Sequence, residues 1–204
     1  MDVRPAQLQD LPGVYRVCLL ADDPGWPGRD PERNPELLGH VYAGPYVAHD
    51  RGLCRVVVDA GGVAGYLLAT ADTDGFFAWL EAEWLPVLRA QYPEGSGAPD
   101  DAWIVRAIHR PQRPPAELVD PFPAHLHIDL LPRARGRGLG RVLIDGLRTD
   151  LATAGVPGVH LGVGSDNANA IEFYRHLGFE TFADDGDTRW MMTNCDPAGP
   201  ALAG

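Results

Sequence analysis

The feature that most constrains this chain is a junction in its last third. An apolar run, His125 to Leu131, enters the turn Pro132-Arg133-Ala134-Arg135-Gly136-Arg137-Gly138-Leu139-Gly140-Arg141. It then continues directly into a stretch whose apolar residues Val142, Leu143, Leu147 and Leu151 recur at helical spacing. A strand that passes through a glycine turn into a helix belongs to an α/β layout. The segments that follow extend it: helix Leu139 to Ala154, strand Val159 to Val163, helix Ala168 to Leu177, then strands Phe179 to Ala183 and Trp190 to Thr193.

Upstream, Val3 and Arg4 read as a short strand, and Leu8, Leu11, Val14, Tyr15, Cys18 and Leu19 as a helix ending near Asp22. Residues 23–35 form a Pro/Gly-rich loop, and Leu37, Leu38, Val41 and Tyr42 restart a helical face. Strands Leu53 to Val58 and Val63 to Thr70 flank Asp59-Ala60-Gly61-Gly62, a hairpin turn in which glycine supplies positive φ. A helix over Phe76 to Tyr92 and a shorter one over Ala102 to His109 precede proline-rich turns to Pro123. This layout predicts one domain over residues 1–196, with a helical insert at 74–123 beside a ligand site and a flexible Ala/Gly/Pro tail at 197–204.

The glycine turn has the chemistry of an anion site. Small residues let a phosphate reach backbone N–H groups, and a helix N-terminus adds about half a positive charge. Arg133, Arg135, Arg137 and Arg141 place four cations within nine residues, where they oppose the helix dipole unless an anion joins them. The competing reading is an arginine-rich surface loop. The turn is not a GxxxxGK[ST] loop, and Arg141 stands where a GxGxxG fingerprint needs its third glycine, which disfavours nucleotide triphosphates and nicotinamide cofactors.

The chain as a whole is acidic. Its 28 carboxylates against 17 basic side chains give −11, which argues against nucleic acid and anionic membranes as partners. All 17 basic residues are arginine, so the chain has no lysine of its own to modify. No apolar run approaches the roughly 18–20 residues of a membrane span, and Met-Asp-Val-Arg-Pro does not resemble a secretory leader, so a soluble cytoplasmic protein is expected. Cys18, Cys54 and Cys195 are too scattered for a disulfide framework or a metal site and read as small apolar fillers.

Two segments carry a family resemblance. Arg135 to Gly140 matches the [RQ]-x-x-G-x-[GA] loop that holds the acetyl-CoA pyrophosphate in the GNAT N-acetyltransferases. Asn167 to Phe179 matches that family's N-x-x-A-x-x-F-Y-x-x-x-G-F segment. The region from about Leu37 to Phe182 is also similar to the acetyltransferase-like C-terminal domain of animal O-GlcNAc hydrolases, in which the loop is degraded; here it is intact. The resemblance implies a GNAT fold, with a mixed sheet of about seven strands flanked by helices, and acetyl-CoA as acyl donor. It does not transfer an acceptor substrate or glycosidase activity.

The resemblance further implies that the backbones of Leu130 and Leu131 pair with the pantetheine arm. Backbone groups from Arg137 through Gly138, Leu139 and Gly140 to Arg141, with the Arg135 and Arg137 side chains, would hold the pyrophosphate. Asn167 and Asn169 would bond the pantetheine arm, the alternative being that Asn167 only caps its helix. Phe173 lies in the same cofactor-contacting segment. Tyr174 would protonate the departing thiolate, its alternative being a core tyrosine.

Alternation along His125 to Leu131 places His125, His127 and Asp129 on one face. A polar face on a buried strand is costly unless it lines a cleft, which makes Asp129 the candidate to orient or deprotonate an amine, directly or through water. A structural hydrogen-bond network is the alternative. Zinc on His125, His127 and Asp129 is disfavoured because no further Cys/His cluster supports it, and no metal is expected. Trp79, Trp84 and Trp103 either wall an acceptor pocket or belong to the core. The sequence thus points to acetyl-CoA-dependent N-acetyltransfer to a small-molecule or peptide amine. The rival readings are a catalytically silent acyl-CoA-binding module and a protein-interaction domain. Oligomeric state stays open.

Overall fold

The computed structural model describes residues 1–22 and 33–196. The tail expected at 197–204 and most of the loop expected at 23–35 lie outside the described residues. Seven strands form the frame: β1 (Asp2–Pro5), β2 (Arg55–Asp59), β3 (Gly62–Thr70), β4 (Ala124–Leu130), β5 (Gly158–Gly164), β6 (Glu180–Asp184) and β7 (Thr188–Asn194). They lie in the order β1-β2-β3-β4-β5-β7-β6. Only β4 and β5 run parallel; every other neighbouring pair is antiparallel, which makes the sheet mixed.

Strand β3 explains how two cores arise from one sheet. From Val63 onward all of its residues are buried, and alternation sends them to opposite faces. Tyr66 and Leu68 join a core with helices α1 (Leu11–Asp22), α2 (Leu37–Tyr42), α3 (Gly44–His49), α4 (Thr73–Trp79), α5 (Leu85–Gln91) and α6 (Ala102–His109). Leu67 and Ala69 pack on the other face with Leu143, Ile144, Leu147 and Leu151 of α8 (Leu139–Thr153) and Ile171 of α9 (Ala168–His176). Helices α4 to α6 and the short α7 (Ala116–Val119) fall between β3 and β4, where the helical insert was expected.

Several local readings change. The first helix starts at Leu11, because Leu8–Asp10 is a 3-10 turn closed by Asp10 Oδ2 accepting from Gln7 N at 2.8 Å. Helix α3 has no counterpart in the periodicity reading. The helix expected over Phe76 to Tyr92 begins earlier, at Thr73, where Asp72 caps it by accepting from Gly75 N at 3.0 Å. It is also interrupted by a π turn at Leu80–Trp84. Pro86 follows that turn; proline lacks an N–H and crowds the carbonyl four residues back, and a widened turn relieves that crowding. All three cysteines are buried and none forms a disulfide.

Candidate active site

The site begins where the two parallel strands part. Strands β4 and β5 pair only at Ala124↔Val159 and His125↔His160, so toward Leu130 the sheet opens. Leu131 donates its N–H to Ala64 O of β3 at 2.9 Å, and its carbonyl accepts from Ala134 N at 2.8 Å. Both of its backbone groups are therefore engaged within the fold. Because backbone groups alternate in direction along a strand, those facing the opening belong to Ile128 and Leu130. Ile128 is a position sequence reasoning did not single out, and Leu131 instead anchors the end of the strand.

After a 3-10 turn at Pro132–Ala134 the chain adopts left-handed backbone at Gly136 (φ 70°) and Gly138 (φ 74°), then enters α8. No other heavy atom lies within 4 Å of where a β-carbon would stand at either glycine. A ligand can therefore approach the backbone directly there. The first helical bond closes from Val142 N to Gly138 O at 3.1 Å, which leaves the N–H groups of Leu139, Gly140 and Arg141 without helical acceptors.

The arginines divide into two kinds. Arg133 is structural: Nε donates to Asp59 at 3.0 Å and a second nitrogen to Val63 O at 3.0 Å, tying the turn to the β2–β3 hairpin. Arg135, Arg137 and Arg141 are exposed and donate only to carbonyls, those of Leu130, Arg133 and His176. Among the described residues none of these three meets a carboxylate. Open N–H groups, glycines and three cations without acidic partners fit a pyrophosphate group.

Helix α9 forms the opposite wall. Asn167 caps it, its side chain accepting from Ala170 N at 3.1 Å, so the capping role weighed above is realised and only the amide NH2 is left to donate. Asn169 is exposed in the first turn. Phe173 leans over Gly140, and Tyr174 is buried against Phe173 and Phe179, with ring centroids at 5.3 and 5.5 Å. The Tyr174 hydroxyl makes no hydrogen bond to a described residue. Burial, and then the charge of Asp129, push its pKa well above the usual phenol range, so it remains protonated.

The polar face of β4 separates into two parts. His125 is buried, its Nδ1 lies 2.8 Å from Thr73 Oγ1, and that hydroxyl is also 2.7 Å from Pro123 O. Burial pushes the His125 pKa down to about 3, so the ring is neutral. Asp129 and His127 converge instead on a residue missed in the sequence, Tyr66, which stands directly opposite Asp129 in the β3–β4 register. The Tyr66 hydroxyl donates to Asp129 Oδ2 at 2.5 Å and lies 3.1 Å from His127 Nδ1.

Among the described residues no group of three or more His, Cys, Asp or Glu side chains is placed to hold a metal ion. Tyr42 of α2 stacks on His127 (5.7 Å, 18°), and Trp103 of α6, 44% exposed, lies next to Tyr42 at 6.4 Å. Trp79 and Trp84 pack against the core, where Trp84 Nε1 donates to His40 O at 2.9 Å. Of the three tryptophans singled out, Trp103 alone borders this face.

An opened mixed sheet with a glycine-arginine turn at its mouth defines a protein of the acetyltransferase class. The acetyltransferase (GNAT) family model matches residues 99–179. The crystal structure of SsHAT superposes with a TM-score of 0.85 at 38% identity, covering 96% of this chain and 98% of that one. The chain belongs to the GNAT acetyltransferase family. It is 26% identical to the O-GlcNAcase of Rattus norvegicus over 180 residues, 86% of this chain but 20% of that protein. It is 27% identical to a mycothiol acetyltransferase of Nocardiopsis dassonvillei over 198 residues, 82% of this chain and 52% of that protein. The chain thus spans about a fifth of the one relative and half of the other. No helix among the described residues is long and apolar enough to cross a membrane.

Proposed function

We propose that this protein is an N-acetyltransferase that moves an acetyl group from acetyl-CoA to an amine. The observation that carries this reading is the turn at Gly136–Arg141: left-handed glycines with open space in front, helix N–H groups without acceptors, and exposed arginines without acids. When bound, acetyl-CoA supplies the thioester carbonyl as the electrophile.

The N–H groups of Leu139, Gly140 and Arg141, with Arg135 and Arg137, hold the pyrophosphate. Ile128 and the Leu130 N–H offer backbone groups to the pantetheine arm at the sheet opening, the Leu130 carbonyl already accepting from Arg135 Nε at 2.7 Å, and Asn167 and Asn169 offer side-chain donors beside it. Tyr174, kept protonated by burial, gives its proton to the departing thiolate. Asp129 faces the insert side of the sheet and draws the amine in by charge, directly or through water. Tyr42 and Trp103 add a flat apolar wall there, which suits a cationic amine carried on an apolar body.

The test is calorimetric titration with acetyl-CoA, with free CoA for comparison, followed by a screen of amines for CoA release. Saturable binding and turnover with an amine support the reading; absence of binding overturns it.

A further inference from the structure

We propose that His127, not Asp129, removes the proton from the acceptor amine, and that Tyr66 is the positioning residue that holds His127 in the tautomer this requires. The inference refines one step of the proposed transfer and rests on that reading.

The order of hydrogen bonds follows from donor counting. A tyrosine hydroxyl has one proton, and an ionised carboxylate can only accept. With Tyr66 donating to Asp129 Oδ2 at 2.5 Å, its oxygen has lone pairs left for His127 Nδ1, 3.1 Å away. Nδ1 must then carry a proton; a bare Nδ1 would set two lone pairs against each other. Asp129 Oδ2 itself lies 3.8 Å from Nδ1, so the carboxylate acts on the ring chiefly through the hydroxyl. A neutral imidazole protonated at Nδ1 has its acceptor at Nε2. His127 Nε2 has no hydrogen-bond partner among the described residues, and the side chain is 31% exposed.

Packing fixes the ring plane as well. Tyr42 stacks on His127 (5.7 Å, 18°), and Tyr66, 5.8 Å away and tilted by 27°, meets the ring edge through its hydroxyl. The titratable groups around it are Asp129 and His125 on β4, Tyr66 on β3 and Tyr42 on α2, with the Cys18 thiol of α1 also hydrogen-bonded to the Tyr66 hydroxyl, which has a second lone pair for it. Asp129 is the one carboxylate of this set. Tyr66 is fully buried, and burial followed by the Asp129 charge raises its pKa well above the phenol range, so it stays a donor.

The proton balance closes. The ammonium N–H bond breaks and an H–Nε2 bond forms on His127, leaving the electron pair on the amine nitrogen. That pair bonds the acetyl carbon as the C–S bond breaks, and the thiolate takes the Tyr174 proton. The second proton on the new amide nitrogen returns to the Tyr174 oxygen through water, and His127 releases its own to solvent. One ammonium and one thioester give one amide, one thiol and one proton.

The first experiment reads the tautomer by 15N NMR of the imidazoles in wild type and Tyr66→Phe, without any need for turnover. Wild-type His127 protonated at Nδ1, with a shift toward the Nε2-protonated form in Tyr66→Phe, is expected; an Nε2-protonated wild type overturns the proposal. The second follows CoA release from acetyl-CoA with 1,4-diaminobutane as the probe amine. An acid limb in kcat/KM that His127→Gln removes, with acetyl-CoA binding retained, supports it, whereas a limb unchanged in His127→Gln overturns it. If wild type binds no acetyl-CoA, the transfer reading fails and the assignment of His127 as a base falls with it. The spectrum still decides the hydrogen-bond order.

Discussion

Gly140, in the first turn of α8, lies so close under the ring of Phe173 on α9 that a β-carbon there would stand 2.8 Å from Cζ. The glycine is therefore fixed by packing between the two helices that frame the proposed acetyl-CoA site. Gly140→Ala should force the ring aside, destabilise the fold by about 1–3 kcal/mol and weaken acetyl-CoA binding by misplacing the α8 N-terminus. Thermal unfolding and calorimetry check both; a variant unchanged in each would show that the helices yield freely.

Gly138 tests the loop by charge. Its φ of 74° is tolerated by asparagine and aspartate better than by other side chains. Gly138→Asn and Gly138→Asp therefore share backbone cost and differ in charge. The aspartate variant should bind acetyl-CoA at least about tenfold more weakly than the asparagine variant, equivalent to about 1.4 kcal/mol. Equal affinities by calorimetry would mean that no phosphate sits at this turn.

How far the sequence discloses this site depends on whether its signals are local. The glycine-arginine turn and the Asn167–Phe179 helix are contiguous, so their residue types and spacing are visible in one dimension. Alternation also places His127 and Asp129 on one face of β4. Tyr66 is invisible in this way: it sits in an apolar run, and only the pairing Tyr66↔Asp129 gives it a polar partner 63 residues away. The engagement of Leu131 by Ala64 and the facing of Ile128 into the opening likewise depend on β3–β4 register. The π turn escapes periodicity because it adds one residue to a pattern otherwise helical on both sides.

Tyr174→Phe separates binding from chemistry. The hydroxyl bonds no described residue, so its loss should leave stability and acetyl-CoA affinity close to wild type while the ring keeps its contacts with Phe173 and Phe179. Transfer should slow by about 10²–10⁴-fold, the range for losing a positioned proton donor. Single-turnover rates at saturating acetyl-CoA provide the measurement; an unchanged rate would move proton donation to another group or to water.

His125 should make the fold acid-sensitive before its carboxylates do. Burial, then the neighbouring His160 and His127, hold its folded pKa near 3 against an ordinary 6.5, and burial also lowers the pKa of His160. Below about pH 6.5 the unfolded chain binds a proton at each that the folded chain refuses, so stability falls with falling pH. For His125 the loss continues until the pH passes its folded value. The slope contributed by His125 approaches about 1.4 kcal/mol per pH unit, His160 adds in the same direction, and between about pH 6.5 and 5 carboxylate titration adds little. His125→Gln should lower stability at pH 7 by loosening the contact with Thr73 yet flatten the acid slope by about one proton. Urea unfolding at closely spaced pH values gives that slope, and a variant as steep as wild type would show that His125 already carries its proton in the folded protein.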